Sequence, residues 1–208
     1  MAQTIPFITL TSDWGQHDFY TGMLKGSLLS KSPMVQIVDL SNSVTNFNIH
    51  DAAFVVRHSF KYFPAGSIHL VMVNSEAFVE PRILVAFHQN HYFVVPDNGI
   101  LGLLFSSPPD DVYEYPITPE GSFSSLNGIV DVVEKLTQGN ALLSFAQKVH
   151  DFVPMTTLRA TIDESIINGN IIYIDSYQNA ITNISKSLFE RVGKSRDYAI
   201  YVQSNHNK

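Results

Sequence analysis

The 208-residue sequence contains no cysteine. That absence excludes disulfides, thiolate metal sites and a cysteine nucleophile, and it fits a cytoplasmic protein. Charge is also sparse: 15% of residues are charged and the formal net charge is −6, with no basic tract, so no nucleic-acid partner is expected. No apolar run is long enough to span a bilayer, and Met1-Ala2-Gln3-Thr4-Ile5-Pro6 lacks the basic start of a secretory signal. A membrane partner is therefore not expected either. There is no glycine-rich phosphate loop, which argues against Rossmann and P-loop nucleotide sites. Ser124-Ser125 lacks the strand–Gly-x-Ser-x-Gly–helix context of a serine hydrolase. The eight histidines are scattered. His88 and His91 flank a Gln89-Asn90 turn with no carboxylate at ligand spacing, so no metal site is expected.

Hydrophobic residues make up 45% of the chain, a core-forming composition. Strand-like and helix-like segments alternate through the first three quarters. Residues 5–10, 35–40 and 68–74 read as strands. Phe19, Met23, Leu24 and Leu28 form one helical face, and Ala53, Phe54, Val56 and Phe60 another, closed by Phe63-Pro64-Ala65-Gly66. Ile83–Phe87 and Tyr92–Val95 read as strands joined by Gln89-Asn90. Ile100–Phe105 opens a short helix, and 127–138 is an amphipathic helix stopped at Gly139. This order predicts an α/β domain with a largely parallel sheet over residues 1–157. From 158 to 208 the chain is richer in β-branched residues, and Asn168-Gly169 between two such runs signals a hairpin. A unit of some fifty residues is thin for a core of its own.

The densest cluster of chemistry is Leu10-Thr11-Ser12-Asp13-Trp14-Gly15-Gln16-His17-Asp18. It sets two carboxylates where the first strand gives way to a helix, and open α/β sheets bind ligands beyond the carboxyl ends of their strands. A carboxylate there accepts two hydrogen bonds from a vicinal diol; a second one nearby holds an ammonium. A helix N-cap is the competing reading, above all for Asp18. Trp14 beside Asp13 can wall a pocket, with core at a strand end the competing reading.

Thr11-Ser12-Asp13-Trp14-Gly15 with Asp18, Ile37-Val38-Asp39-Leu40-Ser41, Tyr62-Phe63-Pro64-Ala65-Gly66-Ser67-Ile68-His69, Pro96-Asp97-Asn98-Gly99 and Ile181-Thr182-Asn183-Ile184 follow one another in an order that resembles the S-adenosylmethionine hydroxide adenosyltransferase family. Fluorinases and chlorinases are its relatives. The resemblance covers nearly the whole chain. It implies an α/β domain followed by a smaller β-barrel-like domain, shortened here, and a homotrimer with each site between one subunit's first domain and its neighbour's second. It further implies cleavage of S-adenosylmethionine to adenosine and methionine, with water, hydroxide or a halide attacking the ribose C5′. No cofactor is implied.

By the same resemblance, Asp13 takes the ribose hydroxyls and Asp18 the methionine ammonium. Phe47 walls the substrate and Phe123 packs on the adenosine, with ordinary core packing the alternative for both. Asp175-Ser176-Tyr177-Gln178-Asn179 resembles an Asp-x-aromatic-Gly-Asn segment in which Asn179 meets the adenine edge and Tyr177 stacks on the base, a turn residue being the alternative for Asn179. Asp97-Asn98-Gly99 reads as a turn that shapes the pocket.

The hydrolases' water-activating Asp, Arg and His fall on Asn74, Pro81 and Ser124. None is present in register. Asn74 is no carboxylate base, and Ser124 does not store a proton near neutral pH. Arg82, one position along, can swing in, and Glu76 or Glu80 can offer a carboxylate, an exposed loop glutamate being the competing reading for each. Halogenases also lack this triad and carry a serine where Ser125 lies. Three readings follow: hydrolysis through substitutes, a different nucleophile, or an inactive binder of adenosine or S-adenosylmethionine. The resembled family continues past the point matching Lys208, with further barrel strands and a serine-rich segment at the methionine.

Overall fold

A computed structural model describes residues 6–75, 81–105, 109, 111–117, 123–193 and 196–202. The chain divides into two units, Met1–Thr156 and Thr157–Lys208.

Among the described residues the first unit has seven strands and four α-helices: β1 (Phe7–Ser12), α1 (Tyr20–Lys31), β2 (Gln36–Ser41), α2 (Ile49–Ser59), β3 (Ile68–Met72), β4 (Ile83–His88), β5 (His91–Pro96), α3 (Ile100–Leu104), β6 (Asp111–Tyr115), α4 (Ser124–Thr137) and β7 (Gln147–Lys148). The sheet order is β2-β1-β3-β5-β4-β6-β7. β2, β1, β3 and β5 are mutually parallel, whereas β4 runs against both β5 and β6, and β7 against β6. β6 thus regains the direction of the first four, and only β4 and β7 are reversed.

Why these segments are strands is plain from their burial. Along β4, Ile83 and Val85 enter one apolar cluster with Leu24 and Leu28 of α1 and Ile129 and Val133 of α4. Leu84 and Ala86 enter the other, with Ala52 and Val56 of α2 and Ile100 and Leu104 of α3. A strand covered on both faces reads as an unbroken apolar run, as Ile83–Ala86 does. The Gln89-Asn90 turn joins β4 and β5 with φ of 49° and 64°, the left-handed pair that matches strand twist.

The chain leaves β1 through α1 to β2 on one side, then crosses through α2 to β3 on the other. The carboxyl end of β1 is therefore the point where the winding reverses, the place an open sheet offers a ligand.

At the opposite end of the sheet, two histidines are sealed in the core. His69 is fully buried, its Nδ1 2.7 Å from Thr9 Oγ1 and its Nε2 3.1 Å from His91 Nδ1. Burial, and secondarily the neighbouring His91, push His69 down to about 3, and burial lowers His91 as well. Both fold as neutral rings, while the unfolded chain takes up protons below about pH 6.5. The stabilisation is thus complete above about pH 6.5 and declines as pH falls through the window toward 3, by about 1.4 kcal/mol per pH unit while His69 stays neutral in the fold, and His91 adds to the decline in the same direction. Urea midpoints measured between pH 8 and pH 4 are expected to fall along this slope, and less steeply in His69→Gln.

The second unit holds β8 (Thr161–Asp163) paired with β9 (Ile166–Asn168), β10 (Ile171–Ile174) paired with β11 (Ala180–Thr182), and α5 (Lys186–Gly193). These are two separate two-stranded sheets and no closed barrel forms among the described residues, which corrects the barrel-like expectation. The Asn168-Gly169 hairpin is also corrected, because β9 and β10 lie in different sheets. The turns fall instead at Glu164, with φ of 47°, and across Asp175–Asn179. Gly169 is there for close approach: a Cβ would lie 2.5 Å from Ile184 Cγ1. Asn183 supports that approach, its Oδ1 accepting from Asn170 N–H at 2.8 Å and its Nδ2 donating to Leu158 O at 3.0 Å. No described residue of this unit is buried, and Ile162, Ile166, Ile171, Ile174, Tyr177 and Ile200 are exposed.

Candidate functional site

β1 ends at Ser12, and the next residue, Asp13, is 8% exposed. Its Oδ2 accepts the backbone N–H of Phe47, in the loop after β2, at 2.9 Å, and that of Asn74, just past β3, at 3.3 Å. Both donors hold a left-handed backbone, with φ of 64° at Phe47 and 51° at Asn74. Such a conformation costs a non-glycine residue roughly 1–2 kcal/mol and persists where the surroundings impose it. Here two strained residues from two loops meet one carboxylate oxygen. Among the described residues no donor reaches Oδ1.

The loop after β2 is anchored around this point. Ser12 Oγ donates to Asn42 Oδ1 at 2.8 Å, Gly15 N–H to Asn42 O at 2.7 Å, and Asn46 Nδ2 to Asp13 O at 3.2 Å. Asn48 then caps α2, its Oδ1 accepting from the His50 and Asp51 N–H groups. Phe47, left between the two anchors, is 70% exposed, so the core reading of this ring fails.

Asp18 is exposed and does not cap α1: the N-cap is Phe19, with no side-chain hydrogen bond. Because the helix starts at Tyr20, Phe19 falls off its buried face and is 61% exposed, contrary to the helical spacing. It stacks on Tyr20 at 4.4 Å and meets Phe123, the N-cap of α4, edge-on at 6.4 Å; Tyr20 also contacts Trp14 at 5.9 Å. An aromatic surface therefore runs from Trp14, beside Asp13, to Phe123. The sequence carries no site signal at Phe19, because an apolar residue four positions before Met23 has the spacing of core.

Ser124 and Ser125 open α4. Ser124 is half-buried, and Ser125 is 2% exposed with its Oγ lacking a partner among the described residues. Glu76 and Glu80 lie outside the described residues.

Arg82, expected to swing in for the missing arginine, is held here by neighbouring acidic side chains and a carbonyl. Its Nη1 donates to Asp97 Oδ2 at 2.7 Å and to Asp151 O at 3.1 Å, and its Nη2 to Glu114 Oε2 at 2.6 Å. Glu114 first, then Asp97 and Asp151, hold the guanidinium above its usual range. Leaving would strand Asp97, whose side chain is 4% exposed, without its cation.

In the second unit, Asp175 organises its own loop. Oδ1 accepts the N–H groups of Tyr177 at 2.9 Å and Asn179 at 2.8 Å, and Oδ2 accepts Asn179 Nδ2 at 2.9 Å. These bonds, the Asn179 side chain first, hold the Asp175 carboxyl below the usual range. Tyr177 is 86% exposed. Gln178 stands where the resembled segment has glycine, and its φ is 67°. The loop thus needs a left-handed residue, which glutamine supplies at a cost and a β-branched residue would not. Gln178→Val is expected to speed hydrogen exchange of the Tyr177 and Asn179 amides about tenfold, whereas Gln178→Gly leaves them near wild type.

Among the described residues no group of three or more His, Asp or Glu is arranged to hold a metal, and no helix is long and apolar enough to cross a membrane. An open groove of about 560 Å³ between α1 and α4, lined by Gly22, Gly26, Ser30 and Asn127, contains none of the candidate site residues.

Residues 8–163 match the SAM hydroxide adenosyltransferase N-terminal domain, and residues 169–208 the C-terminal domain. An (R)-S-adenosyl-L-methionine hydrolase of Methanocaldococcus jannaschii is 27% identical over 194 residues, covering 88% of this chain and 68% of the relative. A fluorinase of an Actinoplanes species is 23% identical, over 90% of this chain and 74% of the relative. The crystal structure of a conserved Thermotoga maritima protein superposes with a TM-score of 0.79 at 23% identity, covering 92% of this chain and 75% of that one, which shows a shared fold. The chain belongs to the SAM hydroxide adenosyltransferase family.

Proposed function

We propose that this protein hydrolyses S-adenosylmethionine to adenosine and methionine. Water or hydroxide attacks the ribose C5′, the C5′–S bond breaks, and its electron pair leaves on the sulfur as a neutral thioether. The proton lost by an attacking water passes to solvent. A sulfonium needs no general acid to depart, so the demand falls on holding and activating the nucleophile.

The observation that carries this reading is Asp13. At the reversal point of the sheet its Oδ2 is tied to the Phe47 and Asn74 N–H groups, and its Oδ1 takes no donor among the described residues. A fixed carboxylate with one oxygen open suits a vicinal diol. Asp18 is proposed to take the methionine ammonium, Phe47 and Phe123 to flank the substrate, and Ser125 to face it. Asp175, Tyr177 and Asn179 are proposed to hold adenine. The relatives named hydrolases support the substrate, and their names specify the R epimer at sulfur.

The division into domains near residue 157 and the assembly into a homotrimer, with sites shared between subunits, belong to the same proposal. In its support, the second unit has many exposed apolar side chains and no buried residue among those described. Such a unit needs a surface to cover it.

A second reading, binding of adenosine or S-adenosylmethionine without turnover, is favoured by one specific set of facts. Asn74 and Ser124 offer no base near neutral pH, and Arg82 is engaged elsewhere. The deciding experiment incubates the protein with each sulfonium epimer, with and without chloride, and follows adenosine by chromatography. Adenosine release supports hydrolysis. Saturable adenosine binding without product supports the second reading, and neither binding nor product sinks both. A chloride-dependent nucleoside product other than adenosine would instead point to halide attack.

A further inference from the structure

The peptide unit between Val73 and Asn74 has two ends, and each is held by a different residue. Its N–H, on Asn74, points at Asp13 Oδ2 at 3.3 Å. Its carbonyl, on Val73, accepts from Asn98 Nδ2 at 2.9 Å, and the same Nδ2 reaches Asn74 O at 3.2 Å. Asn98 is 7% exposed, and its Oδ1 accepts the Ile100 N–H at 3.1 Å, which fixes the amide so that its nitrogen faces β3. The turn carrying Asn98 is itself pinned. Asp97 Oδ2 takes Arg82 and Asp97 Oδ1 takes the Val153 N–H at 2.8 Å.

The backbone alone does not favour this arrangement. With φ of 51°, Asn74 is left-handed, and turning the peptide by half a revolution would return that φ to the ordinary negative region. The flipped peptide would aim the Val73 carbonyl at the Asp13 carboxylate, oxygen against oxygen, and free Asp13 to move. The side chain of Asn98 makes the contacts that oppose the flip.

We propose that Asn98 is a positioning residue that locks the Val73–Asn74 peptide with its N–H toward Asp13, and so sets the carboxylate that receives the sugar. This deepens the reading of Asp13 as the ribose ligand and rests on it. Asn98 touches no substrate in this scheme; it acts through a peptide plane.

The test uses Asn98→Asp in the full chain, with adenosine as the probe. An ionised carboxyl there has no donor and repels the Val73 and Asn74 carbonyls; protonated, it regains one O–H donor. The facing ionisable groups are Asp13 and, on the same turn, Asp97 with its partner Arg82. At pH 8 the variant's Kd for adenosine is expected to rise about tenfold. It should recover as pH falls toward 6, while wild type stays flat over that range. The amide proton of Asn74, followed by NMR without ligand, is expected to move upfield in the variant at pH 8 and to return with the same midpoint. Asn98→Ala, with rescue by Asn74→Gly because glycine carries no left-handed cost, gives a second arm if Asn98→Asp fails to fold. An unmoved Asn74 amide, or a pH-independent loss of binding in Asn98→Asp, overturns the proposal; so does an Asn98→Ala variant that binds as wild type. Failure of the wild type to bind adenosine overturns the ribose reading alone, since the Asn74 amide still decides the lock.

Discussion

Asp13→Ala is expected to weaken adenosine binding by about two to four orders of magnitude. Two hydrogen bonds from a diol to a carboxylate are charge-assisted, each contributing roughly 1.5–3 kcal/mol. The alanine also leaves the N–H groups of Phe47 and Asn74 without their acceptor, so both left-handed residues lose what holds them. Thermal stability should fall with binding, by about 1–3 kcal/mol. Asp13→Asn separates the two effects. An amide oxygen can still accept from Phe47 and Asn74, which preserves the loops, but the neutral group binds the diol more weakly. Calorimetric titration of both variants, alongside their melting curves, checks this. Equal adenosine affinity in wild type and Asp13→Ala would remove the sugar from this end of the sheet.

Asn74→Asp is expected to raise the rate of adenosine release from S-adenosylmethionine about a hundredfold, the lower end of what a positioned general base contributes. The backbone accepts the change, because aspartate tolerates the left-handed conformation almost as readily as asparagine. The new carboxyl would sit on the residue whose N–H already meets Asp13 at 3.3 Å. Two carboxylates in one site repel, and that repulsion raises the proton affinity of one of them toward neutral pH, where a base works best. Adding Ser124→His should increase the rate again by supplying a group that stores a proton near pH 6.5. Single-turnover assays with the purified variants decide the matter. An Asn74→Asp enzyme that binds adenosine normally yet releases no more of it would show that position 74 is not where water is activated.

How much of this was readable from the chain alone depends on the range of the interaction. The apolar run at Ile83–Ala86 and the Gln89-Asn90 turn are local signals, and the strands followed. Phe19 was misplaced because its helix starts one residue later, a boundary that side-chain spacing does not define. Asn168-Gly169 carries the residues of a tight hairpin, yet the pairing partner of β9 is β8, and the glycine answers to Ile184 instead. Arg82 sits next to the position expected for an arginine, but three carboxylates from distant segments decide where its guanidinium goes.

The amino-acid sequence by itself determined the alternation of strands and helices, the exclusion of thiol chemistry and the family, since each follows from composition, short-range periodicity or ordered motifs. Only the tertiary structure decided that Asp13 meets Phe47 and Asn74, that Arg82 is engaged and that Asn98 faces the back of the Asn74 peptide. Those contacts join residues 15 to 69 positions apart along the chain, and hydrogen-bond partners at such separations are selected by the crossing of β1, β3 and their loops, a geometry that no local pattern of side chains encodes.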